Sequence, residues 1–206
     1  MITGTWSFKC KKKPDWTIRK FKAQYCVIGD VQKRLSPEPL NSYSPVVQWA
    51  TVRLMLILQY ILGLKSQSID FKNNFSQTDI PSRQSFLIEL TRDLKSDRVQ
   101  HDVIIILKKS LYGQAGAALL WYEKLRNSLL DCSFVMSKVY PCLFRSKNLI
   151  CMVYVDDCLF WECSQYDIDN VIKYFKEDGP ILNWEHSKGE SVSEFLVIDV
   201  NTLDYG

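Results

Sequence analysis

The sequence predicts an α+β fold, an antiparallel sheet with helices packed on one face. Three observations carry that prediction. The apolar run from Leu149 to Trp161 is rich in β-branched and aromatic residues, and its only charged members are Asp156 and Asp157. It reads as two buried strands joined by a two-residue Asp-Asp turn. Between Tyr166 and Lys176, the residues Ile168, Val171, Ile172 and Phe175 recur at the i, i+3, i+4, i+7 spacing of an amphipathic helix. Along the whole chain the order is helix, strand, helix, strand-turn-strand, helix, strand, with no internal repeat, which suits helices layered on an antiparallel sheet.

The elements follow in order. Trp6 to Cys10 and Thr17 to Val27 read as a β-hairpin joined near Pro14-Asp15-Trp16, followed by a loop, Ser36-Pro37-Glu38-Pro39 through Tyr43. Ser44 as N-cap and Pro45 at the first helical position start a long helix, and Gly63 stops it. Gln48, Arg53 and Gln59 interrupt its apolar surface, and it falls short of the ~20 apolar residues of a membrane span. Ser66 to Phe71 is a strand, Ser76 to Arg98 a polar and irregular stretch, and Val103 to Leu107 another short strand. A second helix covers about Ala117 to Leu130, with Ala118, Tyr122, Leu125 and Leu129 at helical spacing. Gly179-Pro180 ends the third helix, and Glu194 to Val200 is the last strand.

Composition narrows the function classes. With 206 residues and 47% hydrophobic content, the chain can bury one sizeable core. Its seven cysteines are odd in number and form no C-x-x-C pair, which points to a reducing, intracellular setting without a zinc site. Two histidines, His101 and His186, leave little for a histidine-based metal site or a Ser-His-Asp triad. The N-terminus lacks the layout of a signal peptide, and no membrane partner is expected.

Charge is distributed unevenly. Residues 9–22 hold seven Lys and Arg against the single acid Asp15, a local charge of +6, whereas the rest of the chain carries −3. Trp6, Phe8, Trp16 and Phe21 interleave this basic ribbon with aromatics. Two readings are open: a surface for a nucleic-acid backbone, or a solvated lysine-rich hairpin.

Two adjacent carboxylates in an apolar run also admit two readings. Asp156-Asp157 is either a solvated turn or a pair held by a hard divalent cation such as magnesium. A third carboxylate would let the turn hold two ions, and Asp70, at the end of the Ser66 to Phe71 strand, is the candidate. Two metals sharing Asp70 and Asp156 would activate an attacking hydroxyl and stabilise a leaving oxygen, the layout of a nucleotidyl transferase palm.

Tyr154-Val155-Asp156-Asp157 resembles the Tyr-x-Asp-Asp motif of reverse transcriptases, and its surroundings resemble the copia-type branch of LTR retrotransposons. The likeness runs through Trp6-Ser7-Phe8-Lys9, Arg19-Lys20-Phe21-Lys22-Ala23, Tyr43-Ser44-Pro45-Val46-Val47, Ile69-Asp70-Phe71-Lys72-Asn73 and Lys109-Ser110-Leu111-Tyr112-Gly113. It continues through Trp121-Tyr122-Glu123-Lys124-Leu125, Pro141-Cys142-Leu143-Phe144 and Phe195-Leu196, so it covers nearly the whole chain in the family's order.

The resemblance implies a single truncated reverse transcriptase domain, with fingers at about 1–65 and 81–114 and palm at about 66–80 and 115–200. Thumb, connection and ribonuclease H regions of a Pol polyprotein are expected to be missing, with a weak grip on template and primer as the consequence. It implies RNA-directed DNA polymerase activity on deoxynucleotides (dNTPs), with a primer and an RNA or DNA template. Asp70, Asp156 and the backbone carbonyl of Phe71 would bind two Mg2+ ions, with Mn2+ as a substitute, and Asp157 would complete the cluster. Lys22 would lie near the incoming triphosphate. Phe75 would sit under the sugar and exclude a ribose 2′-hydroxyl, against the plainer role of a core ring. Gln114 would be the nucleotide-site glutamine, although the family often carries it two positions later, where this chain has Gly116.

This copy departs from the family around its acids. Trp16 stands at a turn position where Gly is usual, at a cost on the order of 1–2 kcal/mol if φ is positive. Gln24 replaces Arg, Asn74 a small Ala, Leu119 an Arg, Tyr140 an Asp and Val197 a Gly, while the three acids are intact. Three functions follow as expectations: a weakened polymerase core, a dead remnant that binds nucleic acid through its basic hairpin, or an interaction module built on the old palm.

Overall fold

In the computed structural model, β1 (Gly4–Lys12) and β2 (Ile18–Val27) form the expected hairpin, in register from Gly4 opposite Val27 to Lys11 opposite Lys20, with a bulge after Lys11. The structure describes residues 2–13, 15–36, 40–82, 86–89, 104–162, 165–177, 184–186, 194–195 and 198–199. Cross-strand partners share a face of the pleat, so the hairpin sorts its residues. Lys9 opposite Lys22 and Lys11 opposite Lys20 lie on one face; Trp6 opposite Tyr25, Phe8 opposite Ala23 and Cys10 opposite Phe21 lie on the other. At the tip Trp16 has φ of 65°, the strained turn that the sequence implied. Asp15 Oδ1 accepts hydrogen bonds from the Thr17 amide at 3.0 Å and its hydroxyl at 2.6 Å, which hold the carboxyl below the usual range.

The chain divides into two units, residues 1–44 with 75–121 and residues 45–74 with 122–206. Residues 45–65 group with the acid-bearing strands. In the first unit the hairpin is followed by a helix that the sequence reading missed, α1 (Gly29–Leu35), with Asp30 in its first turn and Lys33 and Arg34 in its last. Seven residues are too few to show a clear period, but the charges suit the helix dipole. Two short strands, β4 (Leu87–Glu89) and β5 (Ile104–Ile106), pair antiparallel. Ile2, Val27 and Ile88 form a small core there with Phe86, Ile105, Leu107 and Leu111.

The second unit starts with α2 (Trp49–Leu62), five residues later than Ser44. Gln48 rather than Ser44 is its N-cap, and it makes no side-chain capping bond. The Ser44 hydroxyl donates instead to the Ala118 carbonyl at 3.2 Å, and the β-branched pair Val46-Val47 stays outside the helix. Gly63 ends α2 at φ of 60°, as expected of a left-handed cap.

A six-stranded sheet follows: β3 (Lys65–Phe71), β6 (Val135–Met136), β7 (Leu143–Arg145), β8 (Leu149–Tyr154), β9 (Asp157–Glu162) and β10 (Trp184–His186). Their order is β10-β3-β9-β8-β7-β6, with every neighbouring pair antiparallel. Strands β6, β7 and β10, each only two or three residues long, are not expected from the sequence. Helix α3 (Ala117–Asp131) precedes β6, and α4 (Gln165–Glu177) follows β9, both close to expectation. Instead of one final strand there are two, β11 (Glu194–Phe195) and β12 (Ile198–Asp199), paired antiparallel. Gly179-Pro180, Val197 and most of the polar stretch up to Arg98 lie outside the described residues.

Helices cover both faces of the sheet, which corrects the expectation of one. Met152, Leu159 and Trp161 share a face by their cross-strand pairing, and they form a core with Val52 and Met55 of α2. The indole N–H of Trp161 donates to Gln59 Oε1 at 2.8 Å, so the glutamine that interrupted α2 is there for a buried donor. On the other face Phe71 meets Phe175 of α4 edge-on at 5.8 Å, and Glu162 Oε2 accepts the Ile168 amide at 3.1 Å.

Candidate active site

Strand pairing brings the expected acids to one sheet end. β3 and β9 run antiparallel in unbroken register from Lys65 opposite Glu162 to Asp70 opposite Asp157. Directly opposed residues have Cβ atoms about 4.5–5.5 Å apart, so Asp70 and Asp157 are side-chain neighbours on one face. Asp156 is in the turn beside them. Its carbonyl accepts the Phe71 amide at 2.8 Å, which extends the β3–β9 ladder one step beyond the strands. Phe71 thereby anchors this end twice, by that bond and by its buried ring against Phe175.

The two-residue connection is Val155-Asp156 rather than Asp156-Asp157, because Asp157 is already the first residue of β9 and pairs with Tyr154. Val155 has φ of 49°. A β-branched side chain rarely adopts that conformation, and single strained residues of this kind cost of order 1–3 kcal/mol. Tyr154 packs against the α2 core on one side of the turn, and buried Cys158 follows on the other.

The donor set fits a hard divalent cation. Carboxylate oxygens and backbone carbonyls are what magnesium takes, and Asp70, Asp156 and Asp157 offer them along one edge. Asp70 is exposed and Asp156 and Asp157 are half-buried, so the edge is open to solvent. Among the described residues no three His, Cys, Asp or Glu side chains already converge as a cage. The acids share an edge without being drawn together.

Lys22, Phe75 and Gln114 belong to the first unit, the acids to the second. Within the first unit, Lys22 and Phe75 meet on Tyr112, a residue to which the sequence assigns no role. The ring of Tyr112 takes Phe75 edge-on at 4.8 Å, and the Lys22 ammonium lies over it at 5.8 Å. Tyr112 is a single aromatic in a loop, so no periodicity marks it. Its backbone is fixed: its carbonyl accepts the Val27 amide at 2.8 Å, and Gly113 lies so close to the Val27 carbonyl that a Cβ would collide with it. Gln114 is only 6% exposed, and its Oε1 accepts the Leu111 amide at 3.1 Å, which closes the same turn.

Around these residues, two departures have visible consequences. The Gln24 side-chain nitrogen is buried with no hydrogen-bond partner, at a position where the resemblance leads one to expect Arg. Asn74 is fully buried in the short 3-10 helix Asn74–Gln77 that carries Phe75.

Burial pushes two thiols of the second unit far up, Cys132 to about 12 with help from Asp131, and Cys142 to about 11 with help from Cys158. Burial likewise raises Cys151, and Cys158 adds to it. These thiols are packing groups, not nucleophiles.

The family model described as reverse transcriptase (RNA-dependent DNA polymerase) matches residues 1–203. A retrovirus-related Pol polyprotein from transposon TNT 1-94 of Nicotiana tabacum is 28% identical over 159 residues, 75% of this chain and 12% of that protein. The corresponding protein from transposon RE1 of Arabidopsis thaliana is 29% identical over 158 residues, again 75% of this chain and 10% of the relative. The truncated transposon Ty1-A Gag-Pol polyprotein of Saccharomyces cerevisiae is 25% identical over 94% of this chain and 16% of its own length. The chain therefore spans about a tenth to a sixth of these relatives. Among solved structures, a telomerase from Candida albicans with a fragment of telomeric RNA aligns at a TM-score of 0.43 and 10% identity, over 99% of this chain and 46% of that one.

Proposed function

The chain belongs to the reverse transcriptase (RNA-dependent DNA polymerase) family, in its copia-type branch, and on that premise we propose that it is a fingers-and-palm polymerase core with impaired activity. It would join deoxynucleotides to a primer 3′-hydroxyl on an RNA or DNA template. The observation that carries this reading is the direct opposition of Asp70 and Asp157, with Asp156 in the adjoining turn. Carboxylates gathered at one strand end are the hard oxygen donors that a divalent cation takes.

Asp70, Asp156 and the Phe71 carbonyl would hold two magnesium ions, or manganese in their place, with Asp157 completing the negative edge. When bound, such ions supply Lewis-acid activation of the attacking hydroxyl and neutralise charge on the leaving pyrophosphate. The protein's own part is positioning. The β3–β9 register fixes the carboxylates, and the Phe71 amide bond to Asp156 fixes the turn. In this reading the fingers take about 1–65 and 81–114 and the palm about 66–80 and 115–200. Lys22 would meet the triphosphate and Phe75 the sugar. Gln114 would act on the nucleotide through the turn it closes.

A second reading has an observation of its own. Lys9 faces Lys22 and Lys11 faces Lys20 on one side of the hairpin, an arrangement that an anionic backbone would relieve. On the other side Phe8 is 74% and Phe21 77% exposed, available for base stacking. A remnant that binds nucleic acid without turnover would use these features alone. The rest of a Pol polyprotein would be the partner in either case.

Magnesium titration tests the first reading. Calorimetry should show binding to the unaltered chain that the Asp70→Asn, Asp156→Asn double variant loses; equal binding by both removes the metal site. Nucleic-acid binding that persists in the double variant and falls steeply with salt would leave the second reading standing alone.

A further inference from the structure

We propose that Tyr112 is a positioning residue that couples the two nucleotide-recognition functions of the first unit, triphosphate capture by Lys22 and sugar discrimination by Phe75. The inference rests on the nucleotide roles given to those two residues above. Its own basis is the geometry of one ring, which takes Phe75 edge-on at 4.8 Å and 71° and has the Lys22 ammonium over it at 5.8 Å. Both distances fall in the range where such contacts are attractive.

The backbone around Tyr112 is tied on both sides. Upstream, the Ile80 amide donates to the Lys108 carbonyl at 3.0 Å and the Ser110 amide to the Thr78 carbonyl at 2.9 Å. These bonds fasten its loop to the segment that follows Phe75. Downstream, the Tyr112 carbonyl takes the Val27 amide at the end of the strand that carries Lys22. A loop pinned to both neighbours holds its side chain at a fixed place between them. Lys22 gains from such a guide: its cross-strand partner Lys9 offers it no counter-charge, and a long lysine side chain otherwise keeps much of its rotamer freedom. Phe75 is half-buried in a 3-10 turn, so a ring packed edge-on against it restricts its χ angles.

One side chain therefore affects two quantities. Replacing Tyr112 by Leu should weaken dNTP binding roughly fivefold, by loosening Lys22. It should also lower the preference for a deoxynucleotide over the matching ribonucleotide, by loosening Phe75. Tyr112→Phe, which keeps the ring, should keep both.

The test is equilibrium binding of dTTP and of its ribose counterpart to the full chain with magnesium and no primer, so that turnover is not needed. Lys22→Ala, Phe75→Ala and Tyr112→Leu are measured singly and in pairs. Coupling is expected between Lys22 and Tyr112 in affinity, and between Phe75 and Tyr112 in the deoxy-to-ribo ratio. If Lys22→Ala and Phe75→Ala have their effects and Tyr112→Leu has neither, the coupling is overturned while the site reading stands. If Lys22→Ala and Phe75→Ala have no effect, or the unaltered chain binds no dNTP, the site reading fails and the coupling with it. NMR of the unaltered chain covers a Tyr112→Leu that does not fold. The Lys22 ε-protons should show an upfield ring-current shift, and an unshifted resonance would overturn the contact.

Discussion

Asp70 and Asp157 stand directly opposite one another on neighbouring antiparallel strands, two carboxylates on one face at the sheet's end. Such a pair costs about 0.2–1 kcal/mol, less where solvent screens it, as it does at exposed Asp70. Asp70→Asn should therefore raise the melting midpoint without magnesium by ~1–3 °C, and should reduce the further rise that magnesium gives. Thermal melts with and without the ion check this. A midpoint that falls without magnesium would contradict it.

Val155 takes a left-handed φ of 49° in the turn next to Asp156. Val155→Gly removes the clash of a branched side chain with the backbone and should stabilise the chain by about 1 kcal/mol in urea unfolding. The freed turn should hold Asp156 less firmly and weaken magnesium affinity. Trp16, at φ of 65°, is the contrasting case, because the Lys12 ammonium lies over its ring at 5.0 Å. Trp16→Gly should gain less than Val155→Gly, since it gives up that cation–π contact.

Gln59→Leu should destabilise the second unit by about 1–3 kcal/mol, although it makes α2 more apolar. The buried Trp161 indole N–H would lose its 2.8 Å acceptor. The paired change Gln59→Leu, Trp161→Phe should recover part of the loss, because it removes the stranded donor. Urea melts of the three variants check the cycle.

Cys10 is exposed, whereas Cys142, Cys151 and Cys158 are buried. Brief alkylation of the native chain at pH 8 should label Cys10 and spare those three, as peptide mass spectrometry would show. The raised thiols also set a pH dependence. Stability from keeping them neutral is fully present below the ordinary thiol value of 9.0 and is lost as pH rises from there toward about 11 for Cys142 and about 12 for Cys132. Circular dichroism from pH 8 to 12 should show that decline, and a flat profile would contradict it.

Much of the second unit was legible in the sequence because its signals are local and strong. The run from Leu149 to Trp161 announced two paired strands, and Gly63 announced the end of α2. The turn was misplaced by one residue, because pairing of Tyr154 with Asp157 fixes the register and forces Val155 into a conformation that its side chain disfavours. Helices on both faces were also missed. A strand covered on both sides reads as a continuous apolar run, and that run does not say which helix lies on which face. Of the candidate site, the motif singles out the acids, and the structure places them at one sheet end. It does not single out Tyr112, whose two ring contacts are with residues 90 and 37 positions away in the chain.

Primer extension by the purified chain on oligo(dT)-primed poly(rA) with magnesium, beside Asp156→Asn, decides whether the chain polymerises. Weak extension that Asp156→Asn abolishes is the expected result. Extension that survives in Asp156→Asn, or none from a folded chain that binds primer and template, would contradict a polymerase built on Asp70, Asp156 and Asp157.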